Sequence, residues 1–140
     1  MEITPYIAFD GNGHEALAWY CEALGAEQVL AMRFGDMPGE HDWINDGNRD
    51  RLAHGEIRLK GQKIYASDTP GFEPHKGFEG ITLQVALQDE TEAQTLFDAL
   101  AAEGEVRMPF EPTFWAKRFG MVVDRFGVPW MVNVEGEPGR

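Results

Sequence analysis

The stretch that decides the fold is Asn12-Gly-His-Glu-Ala-Leu-Ala-Trp-Tyr-Cys-Glu-Ala-Leu-Gly25. It does so because a second stretch of the same design follows later in the chain, Asp89-Glu-Thr-Glu-Ala-Gln-Thr-Leu-Phe-Asp-Ala-Leu-Ala-Ala-Glu-Gly104. Each begins with a residue that favours a helix N-cap and has glutamate three positions later, as in a capping box. Each ends with a glycine, which favours the left-handed conformation after a helix. Apolar residues recur with helical spacing in both: Leu17, Tyr20, Cys21 and Leu24, then Ala93, Leu96, Phe97 and Leu100. Such a repeat indicates one fold built from two copies of a unit.

Strand-like segments surround both predicted helices. Alternating apolar and polar residues predict one strand before each helix, at 3–9 and 81–87. Further strands are predicted at 28–34, 51–59, 63–68, 105–110, 115–124 and 129–134, with a loop at 35–50 and a hairpin turn at Gly61-Gln62. The sequence therefore predicts one domain over 1–140, with units at about 1–68 and 79–135 and a linker at 69–78. The fold class is α+β: two tandem β-α-β-β-β units forming curved mixed sheets, with one helix packed on each.

Composition and charge exclude several classes of protein. The 140 residues carry a formal net charge of −12, which argues against binding nucleic acid or an anionic membrane surface. The single cysteine, Cys21, cannot form an intrachain disulfide and lies on the apolar side of the first helix, where we expect a small buried hydrophobe. The N-terminus does not resemble a signal peptide, and no apolar run is long enough to cross a membrane. We therefore expect a cytoplasmic protein.

Four motifs add to the repeat: Thr4-Pro-Tyr-Ile-Ala-Phe-Asp-Gly11, Ala53-His-Gly-Glu56, Ser67-Asp68, and Thr113-Phe-Trp-Ala-Lys-Arg-Phe-Gly120 continuing to Asp124-Arg-Phe-Gly-Val-Pro-Trp130. Together with the two units, they resemble the PhnB-like family of the vicinal oxygen chelate (glyoxalase, bleomycin resistance, dioxygenase) superfamily. One departure is Ala116, where that family usually has glycine. Some members are described as demethylubiquinone methyltransferase-like. This chain, however, has no Gly-rich strand–helix motif that would bind a nucleotide-like methyl donor.

The resemblance also raises the question of a metal. Superfamily members that use one hold it with four side chains, mostly His and Glu, on the inner face of the sheet, in the first and last strands of each unit. In this chain the alternation puts the following residues on that face: Thr4, Tyr6, Tyr65, Ser67, Thr82, Gln84, Met131 and Asn133. None of them is a His, Asp or Glu, the ligands that divalent transition metals prefer. We therefore predict no cofactor at the family's position.

His54 and Glu56 are the candidate catalytic residues. They are two positions apart on one predicted strand, so their side chains share a face. A His-x-Glu pair can chelate a divalent metal or serve as an acid–base dyad, with His41 and Asp42 in the loop at 35–50 folding over it. The alternative is a structural ion pair.

Aromatic residues suggest how the protein binds a ligand. Tyr6, Tyr65, Trp115 and Trp130 can stack on a flat molecule, although core packing is the alternative for both tryptophans. The predicted ligand-binding residues are Tyr6, His54, Glu56, Tyr65, Ser67, Gln84, Trp115, Trp130 and Asn133. Asp124 is expected to accept backbone hydrogen bonds in the turn at 124–127.

Two functional hypotheses follow. The first is a binding protein for a small, partly aromatic molecule, without the superfamily's usual metal and with no assigned reaction. The alternative is a divalent-metal-dependent lyase, isomerase or dioxygenase-type enzyme that uses His54 and Glu56. A homodimer is expected, because relatives of this kind pair exposed sheet edges between two copies.

Overall fold

The computed structural model describes residues 1–136 and contains both predicted units. Unit 1 spans Met1–Lys76 and unit 2 spans Gly77–Arg140, a boundary that falls inside the predicted linker. Unit 1 consists of β1 (Tyr6–Phe9), α1 (Gly13–Leu24), β2 (Glu27–Arg33), a 3₁₀ turn (Phe34–Asp36), β3 (Leu52–Leu59) and β4 (Gln62–Asp68). Unit 2 consists of β5 (Leu83–Leu87), α2 (Glu90–Ala101), β6 (Glu105–Glu111), β7 (Arg118–Val123) and β8 (Pro129–Val134). The α+β class and the β-α-β-β-β order are confirmed.

Each unit has one mixed sheet of four strands with the same topology. The strand order is β1-β4-β3-β2 in unit 1 and β5-β8-β7-β6 in unit 2. The first strand of each unit runs parallel to the last, with Tyr6 opposite Tyr65 and Leu83 opposite Trp130. The remaining strand pairs are antiparallel. The repeat read from the sequence is therefore a repeat of topology as well.

One face of each sheet packs against the helix of its own unit. The buried residues on this side include Phe9, Leu17, Ile57 and Ala66 in unit 1, and Ala93, Phe97, Val122 and Val132 in unit 2. A glycine in the third strand of each unit lets the helix approach closely. A Cβ atom on Gly55 would contact the Leu17 side chain, and one on Gly120 would lie 2.7 Å from Cε2 of Phe97. The opposite face of each sheet is called the helix-free face below.

The two helices are capped differently, contrary to the sequence prediction. Asp89 caps α2 as expected, since its carboxylate accepts hydrogen bonds from the backbone N–H groups of Thr91 and Glu92. Asn12 precedes α1 but makes no side-chain capping bond. The Asp68 carboxylate at the end of β4 takes this role instead by accepting the N–H of Gly13 at 2.8 Å. A buried carboxylate from a neighbouring strand thus replaces the local cap.

The helix C-termini also differ. Gly25 has φ 73° after α1, as predicted. After α2 the left-handed residue is Glu103, with φ 61°, and not Gly104. A Cβ atom on Gly104 would collide with the backbone oxygen of Val123. Glycine at this position therefore allows two backbone segments to approach each other, and the prediction of a left-handed Gly104 is wrong.

Several predicted boundaries shift in the structure. Ile3 is 90% exposed and lies outside β1, while Trp115 lies outside β7. The hairpin between β3 and β4 turns at Lys60-Gly61, one residue earlier than predicted, with φ values of 53° and 80°. Positive φ at both central residues is the geometry of the two-residue type I′ turn. Within residues 1–136, neither helix has the length and apolarity needed to cross a membrane.

Candidate functional site

Three aromatic side chains come together on the helix-free face of unit 1. Tyr6 belongs to β1, His54 to β3 and Tyr65 to β4. Tyr6 is directly opposite Tyr65, which in turn is opposite Glu56 on β3. Because residues two apart on a strand share a face, His54 lies on the same side as Glu56. The alternation read from the sequence therefore placed these residues on one face correctly.

The three rings form a contiguous cluster, called the ring cluster below. The centroid distances are 5.1 Å between His54 and Tyr65, 5.7 Å between Tyr6 and His54, and 6.2 Å between Tyr6 and Tyr65. The tyrosine rings meet edge to face, a favourable arrangement for aromatic side chains. Tyr6 nevertheless remains 53% exposed. The cluster thus presents a preformed aromatic surface.

A hydrogen bond between Tyr6 and His54 orients the imidazole. The Tyr6 hydroxyl lies 3.1 Å from Nδ1 of His54. A phenol is a better donor than acceptor and a neutral imidazole nitrogen is a good acceptor, so we assign the proton of this bond to Tyr6. In that arrangement the neutral imidazole carries its own hydrogen on Nε2. His54 therefore offers a hydrogen-bond donor to a ligand.

The predicted pairing of His54 with Glu56 is wrong. Glu56 accepts a hydrogen bond from Nε of Arg58 at 2.7 Å, and its side chain is only 13% exposed. This bond with Glu56 raises the pKa of Arg58. Arg58 is also two residues from Glu56, and its guanidinium is charged at every relevant pH, so it competes effectively for the carboxylate. The geometry gives an ion pair beside the rings and does not give a His–Glu acid–base dyad.

The sequence interpretation missed other residues of this face. Arg58 continues the alternation of His54 and Glu56, and Lys63 lies directly opposite it on β4. Lys63 forms an ion pair with Glu2 at 3.0 Å. Leu30 and Met32 of β2 are opposite Glu56 and His54. The alternation contained the signal for Arg58 and Lys63, whereas the β2 residues depend on a register that includes a bulge.

Ser67 and the two loop residues are less closely involved. Ser67 is opposite Ala8 and so lies on the helix-free face, next to the ring cluster along β4. His41 remains within its own loop, where Nε2 is 3.0 Å from the Pro38 oxygen and the ring is 5.8 Å from that of Trp43. Within residues 1–136, neither His41 nor Asp42 makes a hydrogen bond, ion pair or ring contact with the ring cluster.

Unit 2 carries the remaining candidates. Gln84 is exposed on β5, and Asn133 lies on the helix-free face, between the buried Val132 and Val134. Oδ1 of Asn133 is enclosed and accepts no hydrogen bond from the part of the chain that is described. Trp115 lies in the loop before β7, with its ring 5.3 Å from that of Phe119. These three positions remain predictions for ligand binding.

Trp130 is a core residue, so the prediction that it binds ligand is wrong. It is 2% exposed, on the same side of β8 as Val132, which faces α2. Its indole N–H donates to Oδ2 of Asp124 at 2.8 Å. Oδ1 of Asp124 accepts the N–H groups of Phe126 and Val128. The turn role predicted for Asp124 is confirmed, and the buried carboxylate also holds Trp130 in place.

Comparisons with known proteins agree on one family. The family described as 3-demethylubiquinone-9 3-methyltransferase matches residues 1–133. Protein YjdN from Escherichia coli is 37% identical over 96% of this chain and 95% of its own length. Protein PA1353 from Pseudomonas aeruginosa is 40% identical, covers 96% of this chain and 98% of its own, and has a TM-score of 0.86. A PhnB protein from Bacillus cereus is 26% identical, covers 96% and 99%, and has a TM-score of 0.79.

A more distant structure shares the fold and contains a metal. FosX from Listeria monocytogenes, complexed with Mn(II) and sulfate, is 9% identical over 97% of this chain, with a TM-score of 0.63. Of the positions predicted to face the metal, those that lie within β1, β4, β5 and β8 are Tyr6, Tyr65, Ser67, Gln84, Met131 and Asn133. These side chains offer no imidazole or carboxylate, so they do not fit a divalent transition metal. Within residues 1–136 no group of three or more His, Cys, Asp or Glu side chains is arranged to hold a metal ion.

Proposed function

This chain belongs to the PhnB-like family described as 3-demethylubiquinone-9 3-methyltransferase, within the vicinal oxygen chelate superfamily, and from this premise we propose that it binds a small, partly aromatic molecule on the ring cluster of unit 1. The observation that carries the proposal is the contact of three rings from three strands, of which Tyr6 is exposed and His54 and Tyr65 are half-buried. Aromatic rings that are fixed in advance bind a planar ligand at low entropic cost. Binding through this surface requires no metal.

The family's description alone does not support methyl transfer by this chain. A nucleotide-like methyl donor is usually bound through free backbone N–H groups at a glycine-rich turn between a strand and a helix. Here the corresponding turn follows β1, and the N–H groups of Gly11 and Gly13 both donate to Asp68. The carboxylate of Asp68 therefore occupies the position that an anionic ligand would take at the start of α1.

Binding of 2-naphthol, a neutral aromatic probe, tests the proposal. We expect millimolar affinity, typical of a fragment of this size, with NMR amide shifts confined to β1, β3 and β4. Replacing Tyr6 with alanine should weaken binding roughly fivefold, because the probe loses one of three rings. The control is Phe72→Ala, which removes an exposed ring of unit 1 that lies outside the sheet. Equal binding by both variants, or no binding by the natural chain, would contradict the proposal.

We also propose that two copies of the chain form a homodimer. The support is apolar surface on the outermost strands, where β2 exposes Val29 and Leu30 and β6 exposes Val106 and Met108. Exposed apolar residues on edge strands favour association with another chain. Light scattering at micromolar concentration should give twice the chain mass of 15.7 kDa. A monomer mass would reject the dimer without affecting the ring cluster.

We also propose that the protein is located in the cytoplasm. The single cysteine, Cys21, is free and partly buried in α1. Burial raises the pKa of its thiol, which disfavours the reactive thiolate. A chain with one unreactive thiol is compatible with a reducing compartment.

A further inference from the structure

We propose that the ligand of the ring cluster is an aromatic acid, and that Arg58 binds its carboxylate or equivalent oxyanion beside the rings. This inference rests on the function proposed above and adds the chemical class of the ligand. It also makes Arg58 the residue that determines specificity. Four residues carry the argument: His54, Arg58, Lys63 and Tyr65.

Arg58 keeps most of its hydrogen-bonding capacity for a ligand. Its Nε donates to Glu56, and its side chain remains 44% exposed. The four N–H groups on Nη1 and Nη2 have no hydrogen-bond partner among residues 1–136. The Glu56 carboxylate therefore fixes one edge of the guanidinium while the rest can form the paired hydrogen bonds that arginine makes to a carboxylate.

The cations lie next to the aromatic surface. Arg58 and Lys63 are directly opposite each other, two residues along the strands from the pair of Glu56 and Tyr65 and therefore next to it on the same face. The pKa of Lys63 is consistent with the proximity of this cation to Tyr65. The hydrogen bond with Glu2 raises the pKa of Lys63, and Tyr65 adds to this effect. A ligand stacked on the Tyr65 ring would thus have its acidic group near both cations.

The free polar groups of this surface are mainly donors. The Tyr65 hydroxyl makes no hydrogen bond within the described residues, and Nε2 of His54 carries a hydrogen when Tyr6 donates to Nδ1. The Glu56 carboxylate is largely covered by its ion pair with Arg58, and the Glu2 carboxylate is paired with Lys63. A ligand that matches this arrangement has a planar ring and oxygen acceptors.

The negative charge of the chain makes acid binding at Arg58 and Lys63 selective. The chain has a net charge of −12, and Glu27 lies directly opposite Arg58 on β2. An acid is repelled by most of such a surface, so it needs specific cations to bind. We infer that Arg58 and Lys63 overcome this repulsion locally. A neutral analogue of the same acid gains less from them, because it carries no charge that attracts the two cations.

The test compares 2-naphthoate with 2-naphthamide, which share a ring and differ in charge. The natural chain should bind the acid at least about tenfold more tightly, because the carboxylate adds an ionic attraction to the guanidinium and can accept two parallel hydrogen bonds, whereas the amide is neutral and has one acceptor oxygen. In the double variant Glu56→Gln/Arg58→Gln this ratio should fall to about one to threefold, while amide binding is retained. Removing both charges avoids leaving Glu56 unpaired beside the acid. Far-ultraviolet circular dichroism should show that the double variant is folded.

The matched control is Glu105→Gln/Arg107→Gln. It removes an ion pair with the same two-residue spacing on β6, where Nε of Arg107 lies 3.3 Å from Glu105. This control should keep the natural preference for the acid. Equal binding of acid and amide by the natural chain, or an unchanged preference in the Glu56/Arg58 variant, would overturn the inference and leave the proposed function standing. Failure of both probes to bind would overturn the function itself.

Discussion

Replacing Asp68 with alanine is expected to lower the free energy of unfolding by about 4 kcal/mol, because each buried donor left without a partner costs about 1–3 kcal/mol. Asp68 is 3% exposed. Oδ1 accepts the N–H groups of Gly11 and Gly13, at 2.9 and 2.8 Å, and Oδ2 accepts that of Leu52 at 2.7 Å. The substitution leaves three backbone donors without a partner, at the start of α1 and of β3.

The matched control for this prediction is Asp89→Ala. Asp89 also caps a helix by accepting two backbone N–H groups, but its bonds are exposed to solvent. Water can satisfy those donors after the substitution, so we expect a loss of about 1 kcal/mol. Urea unfolding with linear extrapolation measures both values. Equal losses would show that Asp68 is no more than an ordinary helix cap.

Replacing Gly120 with alanine is expected to cost about 2–3 kcal/mol, the range of an overpacked core position. The new Cβ would lie 2.7 Å from Cε2 of Phe97 and 2.9 Å from the backbone Cα of Phe110. The ring can shift only slightly, and the backbone of β6 cannot move without disturbing its pairing with β7. The helix α2 or the strand β6 must therefore be displaced.

Gly55→Ala is the corresponding substitution in unit 1, at the equivalent position of the third strand. There the nearest atom is a terminal methyl of Leu17, which can move by rotation of its side chain. We expect a loss of about 1 kcal/mol. Both substitutions reduce the entropy of the unfolded chain equally, so the difference between their losses in the free energy of unfolding reports the cost of packing the new methyl group. A larger loss for Gly55→Ala would contradict this account of the repeat.

The sequence was informative wherever the signal is local. The alternation of β3 placed His54 and Glu56 on one face, and the same alternation in β4 added Tyr65 and Ser67. Asp89 was recognised as a cap because the N–H groups it accepts belong to residues two and three positions away. The Asp124 turn was predicted for the same reason, since the backbone groups it accepts follow within four residues.

The errors arose where two partners competed or where the partner was distant. Glu56 lies two residues from His54 and two residues from Arg58, and the alternation along the strand does not show which of the two it pairs with. The error at Trp130 had a different origin, since this residue was chosen for its aromatic type although the alternation that puts Asn133 on the helix-free face turns Trp130 towards α2. The cap of α1 comes from Asp68, 55 residues away from Gly13, so the polar side chain of Asn12 was mistaken for it.

The sequence by itself determined the two β-α-β-β-β units, the faces of their strands and the absence of the usual metal-binding residue types at the expected positions, because helical and strand periodicities are properties of neighbouring residues. Only the tertiary structure decided that Tyr6 bonds His54, that Arg58 takes Glu56 and that Asp68 holds α1. Each of these pairings depends on distance and burial across separate strands, and several side chains of suitable chemistry were available for each. The three-dimensional positions of these side chains decided which of them form a pair.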